Sequence, residues 1–132
     1  TPSNICQNGN ADVITEDFMR GQQTTDASGH VEFDAVFPGW YPGRTTHIHV
    51  LFIVGDAAHY VTQLYFEDAL AEGIYMTHPD YDHRPNRTTN NAGDGPFDPA
   101  SPNLMNTRRT YDCAMQAWAT IAIPANPVGL DC

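Results

Sequence analysis

A bend rich in proline and glycine runs straight into a β-branched stretch: residues 38–54 read PGWYPGRTTHIHVLFIV. Pro38, Gly39, Pro42 and Gly43 build the bend and fix its path, because proline presets φ and glycine accepts conformations closed to other residues. His47–Val54 after it reads as a strand, buried on at least one face. Side chains alternate along a strand, so His47, His49, Leu51 and Ile53 share one face, and Ile48, Val50, Phe52 and Val54 share the other. The bend therefore delivers Tyr41 and Arg44 to the start of a strand whose first two same-face residues are imidazoles.

The rest of the chain reads as more short strands between turns. Val31–Phe37 alternates, with Val31, Phe33, Ala35 and Phe37 on one side, and is expected to be a half-buried strand. Tyr60–Phe66 reads as another, and Thr120–Ile123, closed by Pro124, as a short late one. Asp68–Tyr75 has room for one or two helical turns. Arg108–Ala119 fits a short helix or an irregular strand equally well. Residues 1–16 are polar, with a turn expected at Asn8-Gly9. His78–Pro102 is crowded with Pro, Asn, Asp and Gly and reads as a loop, longer than a compact domain normally carries without a functional reason. This pattern predicts an all-β chain, an antiparallel β-sandwich with long loops and little helix. At 132 residues it is expected to form one domain, residues 1–132.

Composition narrows the partners. The net charge is −10, and all six basic residues are arginines. Nucleic acid and anionic membrane both require a basic footprint, so neither is an expected partner. No apolar run is long enough to span a bilayer. Cys6, Cys113 and Cys132 are too far apart for a CxxC-type metal site and suggest one disulfide with a thiol left over. With the acidic balance and the Asn86-Arg87-Thr88 glycosylation triplet, they favour a secreted protein.

The chemistry is concentrated between Tyr41 and His49. Residues two apart on a strand lie about 7 Å apart at Cα, close enough for both rings to reach one ion. Neutral imidazole binds zinc, copper, iron and nickel, so His-x-His alone does not name a metal. A trivalent ion binds a phenol deprotonated, so adding Tyr41 favours ferric iron over zinc. Arg44 supplies a permanent positive charge suited to an oxyanion. Each residue alone has a plainer reading: hydrogen-bonded histidines, a turn tyrosine, a surface ion pair. Together, within nine residues, they favour a site.

The run FMRGQQTTDASGHVEFDAVFPGWYPGRTTHIHV, followed by VTQLYFED, resembles the intradiol ring-cleavage dioxygenases, most closely their secreted branch in fungi and bacteria. The resemblance spans Phe18–Asp68 closely and the following loop more loosely. It implies a non-haem Fe(III) cofactor and a small aromatic diol and O2 as substrates. It implies Tyr41, His47 and His49 as metal ligands, with Tyr41 released when substrate binds. Arg44 would stabilise charge on the bound aromatic, and Gln63 would sit behind the histidines. On its strand Gln63 shares a face with Val61 and Tyr65, and a buried amide there requires a partner. The family's second tyrosinate follows an Asp-x-x-Gly-x-Tyr pattern that this sequence lacks, so the chain is expected to begin inside the family domain.

Two other readings compete. One is a secreted, non-catalytic β-sandwich that binds carbohydrate or protein, with an exposed Trp40 as a stacking platform. The other is a cupin-like zinc or copper site, in which His59, His78 or His83 joins the pair. The PGWYPGR bend has no purpose in that second case.

Overall fold

The computed structural model describes residues 19–55, 58–82, 86–100, 102–112 and 114–125, with no side-chain description for residues 58 and 59. Two compact units divide the chain, Thr1–Phe37 with Cys132 and Pro38–Asp131. The three cysteines, the Asn8-Gly9 turn and His83 lie outside the described residues.

In the larger unit, β1 (His47–Val54) and β2 (Ala58–Tyr65) form an antiparallel hairpin, and α1 (Asp68–Thr77) follows at once. A 3-10 turn, Asn91–Gly93, interrupts the long loop. β3 (Asn106–Arg109) and β4 (Met115–Trp118) form a second antiparallel pair. The protein is thus β-rich with little helix, and its described strands make two two-stranded sheets. The loop returns to β2 through a parallel bridge between Tyr65 and Leu104: Tyr65 N–H donates to Asn103 O at 2.8 Å, and Met105 N–H to Tyr65 O at 2.8 Å. This satisfies part of the edge that β2 would otherwise present to solvent.

The core is small and lies under the start of β1. Trp40, Tyr65, Phe66, Ala71, Tyr75 and Met105 are its buried apolar members, and Thr45 and Thr46 are fully enclosed. Ala71 and Tyr75 are four apart, so α1 turns one stripe inward. Two enclosed threonines have to satisfy their hydroxyls. Tyr75 O–H donates to Pro38 O at 2.7 Å, so Thr46 Oγ1 is the donor in its 2.8 Å contact with Tyr75 Oη. Thr45 Oγ1 donates to Asn91 Oδ1 at 2.7 Å and accepts from Arg87 Nη1 at 3.0 Å. Farther along β1 burial fades, and Ile53 and Val54 are exposed.

Three expectations change. Val31–Phe37 is not a strand: it has no ladder partner among the described residues, and Phe33 and Val36 stand exposed. Alternation assigns faces to a segment, whereas pairing has to come from a neighbour. Within the described residues of this smaller unit, the chain turns at Asp26. The Asp26 carboxylate accepts from Ser28 Oγ and from the backbone of Ser28 and His30, and Gly29 takes φ +81°. Thr120–Ile123 is likewise irregular, with the late strand at Met115–Trp118 instead. Arg108–Ala119 is neither alternative as stated: Arg108 and Arg109 end β3, Met115–Trp118 is β4, and Thr110 N–H donates to Ala114 O at 2.9 Å between them.

Candidate metal centre

Tyr41-Pro42-Gly43-Arg44 is a type II turn: Arg44 N–H donates to Tyr41 O at 3.3 Å, proline occupies the second position, and Gly43 takes φ +86° in the third. A type II turn needs that positive φ, which explains the glycine. The turn brings its two flanking side chains together, so that Arg44 Nη1 donates to Tyr41 Oη at 3.2 Å. Strand register supplies the rest. His47 pairs with Tyr65 and His49 with Gln63, so these four residues line one face of the β1–β2 hairpin.

His47 is buried, and its Nδ1 lies 2.7 Å from Thr45 O. A carbonyl only accepts, so Nδ1 carries the proton and Nε2 the lone pair. That Nε2 is 3.2 Å from Tyr41 Oη and 3.1 Å from His49 Nε2. The phenol oxygen and the His49 nitrogen therefore both approach His47 Nε2. Donors about 2.1 Å from a common ion, and separated by these distances, subtend roughly 95–100° at it, nearer the neighbouring positions of a five- or six-coordinate ion than a tetrahedron. The donor set fits a ferric ion.

The rings are also kept neutral. Desolvation, then the charge of His47 and Arg44, brings the His49 pKa down to about 4, although the residue taken whole is exposed. His47 is lowered too: desolvation outweighs its backbone bond to Thr45, and Arg44 pushes in the same direction as desolvation. Neutral imidazole is the ligand form.

Gln63 has the partners its burial requires. Its Oε1 accepts from Arg44 Nη2 and, at 3.0 Å, from Tyr65 O–H. With the oxygen so assigned by its donors, the Nε2 end is the one left to donate. Tyr65 thus stands at the edge of the site with its hydroxyl on Gln63. Burial, then the negative charge of Asp94, raises its pKa.

Sequence reasoning did not single out Asp94, Thr45 or Asn91. Asp94 Oδ1 accepts Arg44 Nε–H at 2.6 Å, and its Oδ2 accepts from Arg44 Nη2 at 3.3 Å. Burial pulls the Arg44 pKa down, but the bond to Asp94 and the nearby tyrosine oxygens reverse this, so it stands above its ordinary value. Fifty residues separate the pair, and the only sequence signal was the unexplained length of the loop that carries Asp94.

Particular residues bear on the competing readings. Trp40 is buried, so it is no exposed stacking platform. His78 caps α1, with its ring against Tyr81 and its Nδ1 3.8 Å from Asp80. Among the described residues no three or more His, Cys, Asp or Glu side chains gather into a metal-binding group, so no further histidine or carboxylate joins the pair there. No described helix is long and apolar enough to cross a membrane. Comparison with protein-family models, with curated proteins and with solved structures finds no match to this chain.

Proposed function

We propose that the chain is the β-sandwich domain of a secreted non-haem ferric dioxygenase that opens catechol-type diols between their hydroxyl-bearing carbons, giving muconic-acid-type products. The observation that carries this reading is the approach of Tyr41 Oη and His49 Nε2 to His47 Nε2, at 3.2 and 3.1 Å, with a guanidinium and a primary amide beside them. Tyr41, His47 and His49 would hold the iron. When bound, ferric iron supplies Lewis acidity that acidifies the diol and orients it toward O2.

The chain's own groups do the remaining work. Tyr41 is 44% exposed and sits on a turn, so its Oη can take a proton from the incoming diol and move aside. Thr45 O holds His47 in the tautomer that presents Nε2. Arg44 places fixed positive charge where negative charge gathers on the ring oxygens, and Gln63 Nε2 offers a neutral donor beside it. Both atoms of O2 enter the product, so the site needs no reductant.

The test is to load the protein with Fe(III), record the visible spectrum and follow oxygen uptake with catechol. The reading expects a burgundy tyrosinate band and consumption of O2. A colourless protein that takes up no iron would refute it and favour the binding module.

A further inference from the structure

The Arg44 guanidinium is held from behind by a carboxylate that touches none of the three metal-binding atoms. Asp94 has no exposed side-chain surface, and it accepts from three donors on consecutive residues: Arg44 Nε at 2.6 Å, Arg44 Nη2 at 3.3 Å and the backbone N–H of Thr45 at 3.3 Å. A buried carboxylate is costly unless it is paired and hydrogen-bonded, and here it is both. Two-point pairing along the Nε–Nη2 edge fixes the plane of the guanidinium as well as its position.

The consequence is directional. With the Nε edge on Asp94, Nη2 keeps a second hydrogen for Gln63 Oε1, and Nη1 faces Tyr41 Oη at 3.2 Å. Four of the five N–H groups have these partners, which leaves one Nη1 hydrogen beside the tyrosine oxygen. Thr45, the third donor to Asp94, is the residue whose carbonyl orients His47. One carboxylate therefore meets both the arginine and the backbone N–H of the residue whose carbonyl orients the first histidine.

Asp94 is itself anchored. It follows the 3-10 turn Asn91–Gly93, its N–H donates to Asn91 O at 3.2 Å, and its carbonyl accepts from Phe97 N–H at 3.1 Å. Asn91 is buried. Its N–H donates to the Asp68 carboxylate at 3.0 Å and its Nδ2 to Phe66 O at 2.9 Å. The loop is thus tied to α1 and to the end of β2, and Asp94 is its point of contact with the site.

We propose that Asp94 is the positioning residue of this centre: its carboxylate clamps Arg44 so that one guanidinium N–H is aimed beside Tyr41 Oη, where a bound diol oxygen would accept it. The role in turnover rests on the dioxygenase reading, whereas the clamp itself does not.

The test uses the full chain, metal-free and iron-loaded, as wild type, Asp94→Asn and Asp94→Glu. In the metal-free wild type the Arg44 Nε–H should give a separate, downfield, slowly exchanging NMR signal. That signal should collapse into the rapidly exchanging pool in Asp94→Asn and return at least in part in Asp94→Glu. With iron, Asp94→Asn should keep the metal content within twofold of wild type while catechol turnover falls about 100-fold, mainly in kcat, the scale expected of a misplaced catalytic group. A wild-type Arg44 Nε–H that exchanges as fast as a surface arginine's overturns the clamp without any variant having to fold. Wild-type turnover in Asp94→Asn overturns the positioning role. A protein that binds no iron but shows the NMR behaviour described keeps the clamp and removes the dioxygenase reading.

Discussion

Replacing Tyr41 with phenylalanine separates the metal centre from ordinary packing. The substitution removes one atom, the Oη that accepts from Arg44 Nη1 at 3.2 Å and meets His47 Nε2 at 3.2 Å. Because Tyr41 is 44% exposed, water replaces much of what is lost. A hydrogen bond of this kind contributes about 0.5–1 kcal/mol. For a chain of 132 residues that corresponds to a melting-point drop of roughly 2–5 °C in the metal-free protein. The effect on iron should be of another order. Removing an outer partner of a ligand already weakens metal binding about 10- to 100-fold, so removing a ligand should weaken it by at least about 100-fold. The assay is competition for Fe(III) against a colourless chelator, read in the visible, beside thermal melts without metal. Tyr65→Phe is the control, since its hydroxyl donates to Gln63 and the band should survive. An unchanged visible band in Tyr41→Phe, or equal loss in the two variants, refutes the ligand assignment.

Gly43→Ala should cost about 1–2 kcal/mol from left-handed backbone strain alone, since nothing lies within 4 Å of the added Cβ; a denaturant midpoint equal to wild type would contradict the type II turn. In the metal-free protein His49 should titrate near pH 4, seen by NMR, well below the ordinary 6.5. Because the unfolded chain takes up that proton at the higher value, stability is whole above pH 6.5 and falls as the pH drops toward 4; an ordinary midpoint for His49 would show that its ring is not desolvated. Tyr75→Phe should destabilise by about 1–3 kcal/mol in calorimetry, because Pro38 O loses its donor and Thr46 Oγ1 its acceptor inside the core; no loss would mean the bonds are absent in solution.

What the sequence could disclose follows the reach of its signals. The type II turn and the facing of His47 and His49 are local, set by Pro42, Gly43 and the two-residue period of a strand, and these were legible. The helix after β2 was legible as one or two turns and extends to Thr77. Gln63 was legible as a side chain needing a partner, which the resemblance set behind the histidines, and the register pairs it with His49. Val31–Phe37 misled because its alternation is a property of the segment, while a strand also requires a neighbour. Asp94 was not legible at all. A lone aspartate between glycines in a polar loop reads as a turn residue, and its burial against Arg44 depends on Asn91 being fastened to Phe66 and Asp68.

The division of labour between near and distant residues also bears on the chemistry. The three proposed metal-binding atoms come from nine consecutive residues, so bringing them together costs little loop-closure entropy. A site so local would be loose if nothing else held it, since Tyr41 is half exposed and β1 becomes exposed toward Val54. Rigidity comes from residues distant in sequence: Gln63 across the hairpin, and Asp94 from the loop, converge on Arg44. Arg44 is thus the junction between the compact ligand set and the rest of the fold. Its loss should therefore differ from the loss of a ligand. Arg44→Gln leaves Asp94 buried with no cation, which should destabilise the protein by about 3–5 kcal/mol, while Arg44→Gln combined with Asp94→Asn should recover part of that. A double variant no more stable than Arg44→Gln alone would show that the carboxylate finds its partners elsewhere, and that the long loop is not fastened to the site through this pair.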